Sequence, residues 1–120
     1  MFAYESLDIW KLAIQYARTV YKVTDKFPKS EVYGLTNQLR RASVSISANI
    51  AEGSGANSII DKMHYLDIAV KSALETTSEI QIALALSYLN EPTRNRLYEE
   101  AEKIIRKIRS YKKFLKSDKR

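Results

Sequence analysis

Apolar residues return every three or four positions along this chain, in four blocks separated by short polar breaks. That period is helical, and no segment alternates with the period of two that a half-buried strand requires. The first block carries Trp10, Ala13, Ile14, Ala17, Val20 and Tyr21, and stops near Pro28, which cannot continue a helix. The second carries Leu35, Leu39, Ala42, Ile46 and Ile50, after which Gly53 and Gly55 offer the positive φ that ends many helices. The third opens at Ser58 with Asp61 three residues on, the spacing of a capping box. It continues through Met63, Leu66, Val70, Ala73, Thr77, Ile80, Leu84 and Tyr88. Its length of about 30 residues makes a rod of roughly 45 Å. Asn90 can cap the fourth, Pro92 fits a first turn, and Leu97, Ala101, Ile104, Ile108, Tyr111 and Leu115 form its seam. Those steps of four and three belong to a helix lying at a shallow angle on its neighbours.

The pattern predicts helices over about 7–26, 34–53, 58–89 and 91–117. Short connections favour antiparallel neighbours, so the expected fold is all-α: an antiparallel up-down-up-down four-helix bundle, one domain over 1–120.

The second block is unusual in its small side chains. In "NQLRRASVSISANIAEGSG", Ser43, Ser47 and Ala51 form a line beside the apolar stripe, with Ser45 and Ala48 on further faces. A helix that is slim on several sides can approach more than one partner closely, which predicts contact between copies of the chain as well as within one. Serines bonded to carbonyls one turn back are the plainer alternative.

Arg40 and Arg41 head this segment, and Glu75 and Glu79 lie one turn apart in the third block. A hairpin of the two helices could join them in a structural ion-pair network of bidentate geometry. Contact of either arginine with phosphate, or plain exposure to solvent, is open as well.

Composition narrows the functional classes. The chain has 120 residues, 45% hydrophobic and 28% charged, with no cysteine. That leaves no disulfide framework and no thiolate metal site, and a reducing, cytoplasmic compartment is the expectation. No apolar run approaches the ~18 residues of a membrane span, and the first residues lack the basic and apolar regions of a signal peptide. The net charge of +6 is unevenly placed: nine basic residues lie between Lys103 and Arg120, against the single acid Asp118.

Catalysis finds little support. His64 is the only histidine, and its i, i+3 partner Asp61 is one motif where a di-iron bundle needs two plus further carboxylates. No metal and no cofactor are expected. Gly53-Ser54-Gly55 is too short for a phosphate-cradling loop. The better candidate is the fourth helix, where Arg106, Arg109, Lys113, Lys116 and Arg120 form a stripe away from the seam, with Lys112 beside it. Such a stripe suits phosphates, although lysines near a helix C-terminus also complement its dipole. Tyr98 and Phe114 are the rings expected to be exposed, while Trp10 should be buried.

Across "LDIWKLAIQYA", "YGLTNQLRRA" and "NIAEG" the chain resembles the four-helix-bundle proteins encoded in intervening sequences of 23S ribosomal RNA genes. These are related to the accessory variability determinant proteins of diversity-generating retroelements. That family usually places proline after the isoleucine that corresponds to Ile46; Ser47 stands here, which predicts a straighter second helix. The resemblance implies a ring-shaped homopentamer, RNA as a partner and no catalytic role. An adaptor for an acidic or polymerase-like protein is the alternative function. The expectation is therefore a non-catalytic, oligomeric, basic nucleic-acid-binding scaffold, led by the fourth helix with Arg40 and Arg41 as secondary contacts.

Overall fold

The computed structural model describes residues 1–117, so Arg120, predicted to end the basic stripe, lies outside the described residues. Among these residues the chain is all-helical: α1 (Asp8–Thr24), α2 (Leu35–Gly55), α3 (Ile59–Ala85) and α4 (Glu91–Ser117), with 3-10 turns at Ala3–Ser6 and Lys29–Glu31. Each helix packs on its neighbours in sequence, and α4 closes back on α1. The molecule is a rod of 51 × 22 × 22 Å.

The predicted starts form as the side chains dictate. Ser58 Oγ accepts the Asp61 amide at 3.1 Å, and Asn90 Oδ1 accepts the Thr93 amide at 3.0 Å. α2 starts differently, because Gly34 has no side chain to cap with. The Glu31 carboxylate instead accepts the Leu35 amide at 3.0 Å and the Tyr88 hydroxyl at 2.8 Å. These bonds, the amide's first, hold the Glu31 carboxyl below its ordinary value. A Cβ at position 34 would lie 2.6 Å from the same carboxylate, so glycine leaves room for the cap.

The ends depart from expectation. α3 stops at Ala85 and not near 89, because Ser87 takes a left-handed φ of 63°. The amides of Ser87 and Tyr88 then bond back to Leu84 and Ala83, the paired closure of a Schellman motif. α2 runs unbroken through Ser47, as the missing proline predicts, and on to Gly55. Neither Gly53 nor Gly55 has positive φ. Gly53 is buried inside the helix, where a Cβ would lie 3.3 Å from Tyr65 Cβ and 3.4 Å from the Lys62 carbonyl. Its role is close approach of α3, and it does not stop the helix.

The core is one cluster reaching from Ile9 to Ile108. Two seams are rotated from their predicted lines. α1 buries Ile9, Ala13, Tyr16, Val20 and Thr24, leaving Ile14 and Tyr21 exposed, and Trp10 is half-buried with its edge on Tyr4. α3 buries Thr76 and Ala83, while Thr77 and Leu84 are half-buried. Both helices carry more apolar residues than one stripe needs, and tertiary contacts select among them. At the centre, the Tyr16 and Thr76 hydroxyls, both fully buried, bond to each other at 2.8 Å. Burial pushes the Tyr16 phenol well above its usual range.

Gly53→Val tests the close approach of α2 and α3. Overpacking against Tyr65 and the Lys62 backbone should cost about 1–3 kcal/mol, read as a lower midpoint in urea unfolding.

Candidate nucleic-acid interface

α4 brings its cations to one surface because its apolar residues return at i+3 and i+4. Leu97, Ala101, Ile104, Ile105 and Ile108 face inward, which turns Arg106, Arg109, Lys113 and Lys116 out to solvent. Among the described residues none of these four makes an ion pair. They line a shallow groove of 630 Å³ with Glu102 and Ser110. Lys112 separates from the set: its ammonium is paired to Asp67 on α3, so it fastens α4 to α3 and its charge is already neutralised.

The two rings singled out part company. Phe114 is 58% exposed and stacks on Tyr111 with centroids 6.5 Å apart. Tyr98 is half-buried, its hydroxyl donating to the Thr77 carbonyl or the Gln81 side chain, with the Arg94 guanidinium over its ring. It is a structural contact between α4 and α3.

The small-residue face of α2 is spent mostly inside the subunit. Ser43 and Ser47 are 0% and 7% exposed, and their hydroxyls donate to the Arg40 and Val44 carbonyls. Ser45 meets Ser72 of α3 at 2.9 Å and accepts from the Asn49 amide. Between Ala42 and Ala51, Val44 and Ala48 remain exposed.

The predicted network joining Arg40 and Arg41 to Glu75 and Glu79 does not form. Arg40 lies on the same side of α2 as Ser43 and Ser47, and this side faces the end of α1. Its guanidinium donates to Thr24 Oγ1 at 2.8 Å, to the Tyr21 carbonyl at 3.3 Å and to Asp25 at 3.2 Å, and lies 4.6 Å over the Tyr21 ring. That ties down the last turn of α1, where unpaired carbonyls favour a cation. One residue of helical rotation separates Arg41 from this position. It is exposed and makes no ion pair among the described residues.

Sequence reasoning missed a second set of cations. Arg18 and Lys22 on α1 and Lys26 in the turn after it, spaced by four in sequence, line a cavity of 1080 Å³ at the seam with α4. Their spacing was available in the sequence, but only the packing of α4 beside them makes a groove. No three His, Cys, Asp or Glu side chains converge as a metal site among the described residues. No described helix is long and apolar enough to cross a membrane.

Residues 5–110 match the family described as 23S rRNA-intervening sequence protein. The chain belongs to that family. Its fold is similar to a crystal structure from Bacteroides thetaiotaomicron VPI-5482, a protein of unknown function from the S23 ribosomal protein family. The TM-score is 0.78 at 23% identity, over 88% of this chain and 98% of that one. No curated protein matches this chain.

In this member of the intervening-sequence family, Glu79 is left without an arginine. It is 5% exposed and one of its oxygens has no hydrogen-bond partner. Burial first, then the Glu75 carboxyl one turn back, raises its pKa from 4.5 to about 8. A carboxyl raised in the folded state binds a proton that the unfolded chain releases earlier, so folding weakens as pH climbs from about 4.5 to about 8. Glu79→Gln should remove that dependence and raise the unfolding midpoint at pH 8 more than at pH 5. Equal shifts at both values would place the ionisation elsewhere.

Proposed function

We propose that this 23S rRNA-intervening sequence family member is a non-catalytic scaffold that self-associates and binds nucleic acid, with RNA as the first candidate. The observation that carries the reading is the row of exposed cations Arg106, Arg109, Lys113 and Lys116 on α4, which make no ion pair among the described residues. Cations without counter-charges exchange bound anions freely, so phosphates can be taken up with release of their counterions and without base readout. Phe114 adds an exposed ring on which a base can stack.

Self-association is supported by apolar side chains that the fold leaves outside. Val44 on α2 and Leu74 and Ile82 on α3 are 45%, 49% and 48% exposed. The helices are read as an up-down-up-down bundle, and the assembly as the pentamer that the family resemblance implies. Copies arranged in a ring would repeat the α4 row and multiply its affinity.

With a structured RNA at low salt, log affinity should fall linearly with log salt. Changing Arg109, Lys113 and Lys116 together to alanine should reduce that slope by about 2–3, near 0.9 for each lost phosphate contact. A slope left unchanged would remove α4 from the interface. Light scattering after nuclease treatment should give the mass of several chains, and a single chain at micromolar concentration would end the multivalent reading.

A further inference from the structure

The seam between α1 and α4 is the most open of the four between neighbouring helices, and it holds the 1080 Å³ cavity. One rim is a row of cations: Arg18, Lys22 and Lys26 are exposed, and none makes an ion pair among the described residues. Arg18 and Lys22 stand one step apart on α1, where four residues rise by about 6 Å, and Lys26 follows in the turn beyond Thr24. The cavity also has an apolar side, where Val23 and Tyr88 are half-buried and Leu97 is buried. Between the two lies Glu100. Its Oε2 is buried without a hydrogen-bond partner, although Arg96 Nε stands 3.5 Å away at ion-pair distance. Burial raises this carboxyl against the opposing pull of Arg96.

Cations on a rim and an apolar wall with an aromatic ring together match the phosphates and the base of a nucleotide. We propose that this groove is a second nucleic-acid site, specific for single strands, with phosphates along Arg18, Lys22 and Lys26 and an unstacked base against Val23 and Tyr88. A base in a duplex is stacked and paired and cannot enter the groove. A single strand presents both its bases and its phosphates. The proposal rests on the nucleic-acid reading above but uses a different face from the α4 row.

The test compares a fluorescein-labelled six-nucleotide RNA carrying 4-thiouridine, alone and annealed to its complement. Replacing Arg18, Lys22 and Lys26 together by alanine should weaken the single strand about tenfold or more and lower its salt slope by about 2, near 0.7 per phosphate. Duplex binding should change less than about twofold, the α4 triple variant should do the converse, and irradiation should place the cross-link on residues lining the groove. Circular dichroism checks that the surface variants keep their helices. Equal losses for both RNA forms, or cross-links confined to α4, would overturn the groove site. If the groove variant is silent while α4 variants still weaken duplex RNA, the groove fails and the scaffold reading stands. If neither RNA form binds the parent protein, both fall.

Discussion

The close approach of α2 to α3 is the constraint on which the other contacts depend. Gly53 lets the Tyr65 side chain and the Lys62 carbonyl come within van der Waals reach, and Ser45 and Ser72 meet by their hydroxyls. Larger residues at these places would push the helices apart. α3 then serves as the spine of the molecule. It bonds to α1 through Thr76 and Tyr16, to α2 through Ser72, and to α4 through the Thr77 carbonyl and Asp67. Because one helix packs on two neighbours and bonds to the third across the bundle, its buried arc is wide and takes in serine, threonine and a glutamate besides the aliphatic residues.

Packing of the helices also has a cost in polar atoms. Thr36, Glu79 and Glu100 each bury an oxygen without a hydrogen-bond partner. Buried polar groups are normally satisfied, and one left open weakens the fold by the water it gave up. The two carboxyls respond by holding protons more tightly. They differ in setting: Glu79 is closed in beside another acid, whereas Glu100 lines a cavity next to a cation. The first is a cost of packing; the second already stands at ion-pair distance from Arg96.

Charge is sorted by the same packing. Arg40, Arg94, Arg96 and Lys112 hold turns or helices together through pairs with Asp25, Glu91, Glu100 and Asp67. The cations with no ion pair among the described residues include the row on the outer face of α4 and Arg18, Lys22 and Lys26 beside the groove, and net charge alone could not distinguish paired from unpaired. Long-range attraction for a polyanion depends on the unpaired set, since paired charges largely cancel at a distance.

The sequence by itself determined that the chain is helical, where the helices start and which face of α4 is basic. Each of these follows from local chemistry: the 3.6 period, the Ser58 and Asn90 caps, and the alternation of isoleucine with arginine and lysine. It also carried the family, through "YGLTNQLRRA" and "NIAEG". Tertiary structure alone decided which neighbour each polar side chain would meet. Arg40 and Arg41 differ by one helical step, yet one closes the end of α1 and the other faces solvent. Gly53 reads as a helix stop until α3 is seen lying against it, and Lys112 reads as a phosphate ligand until Asp67 is found beside it. Periodicity sets the angle at which a side chain leaves its own helix, but the partner comes from a distant part of the chain and is fixed only when the helices pack.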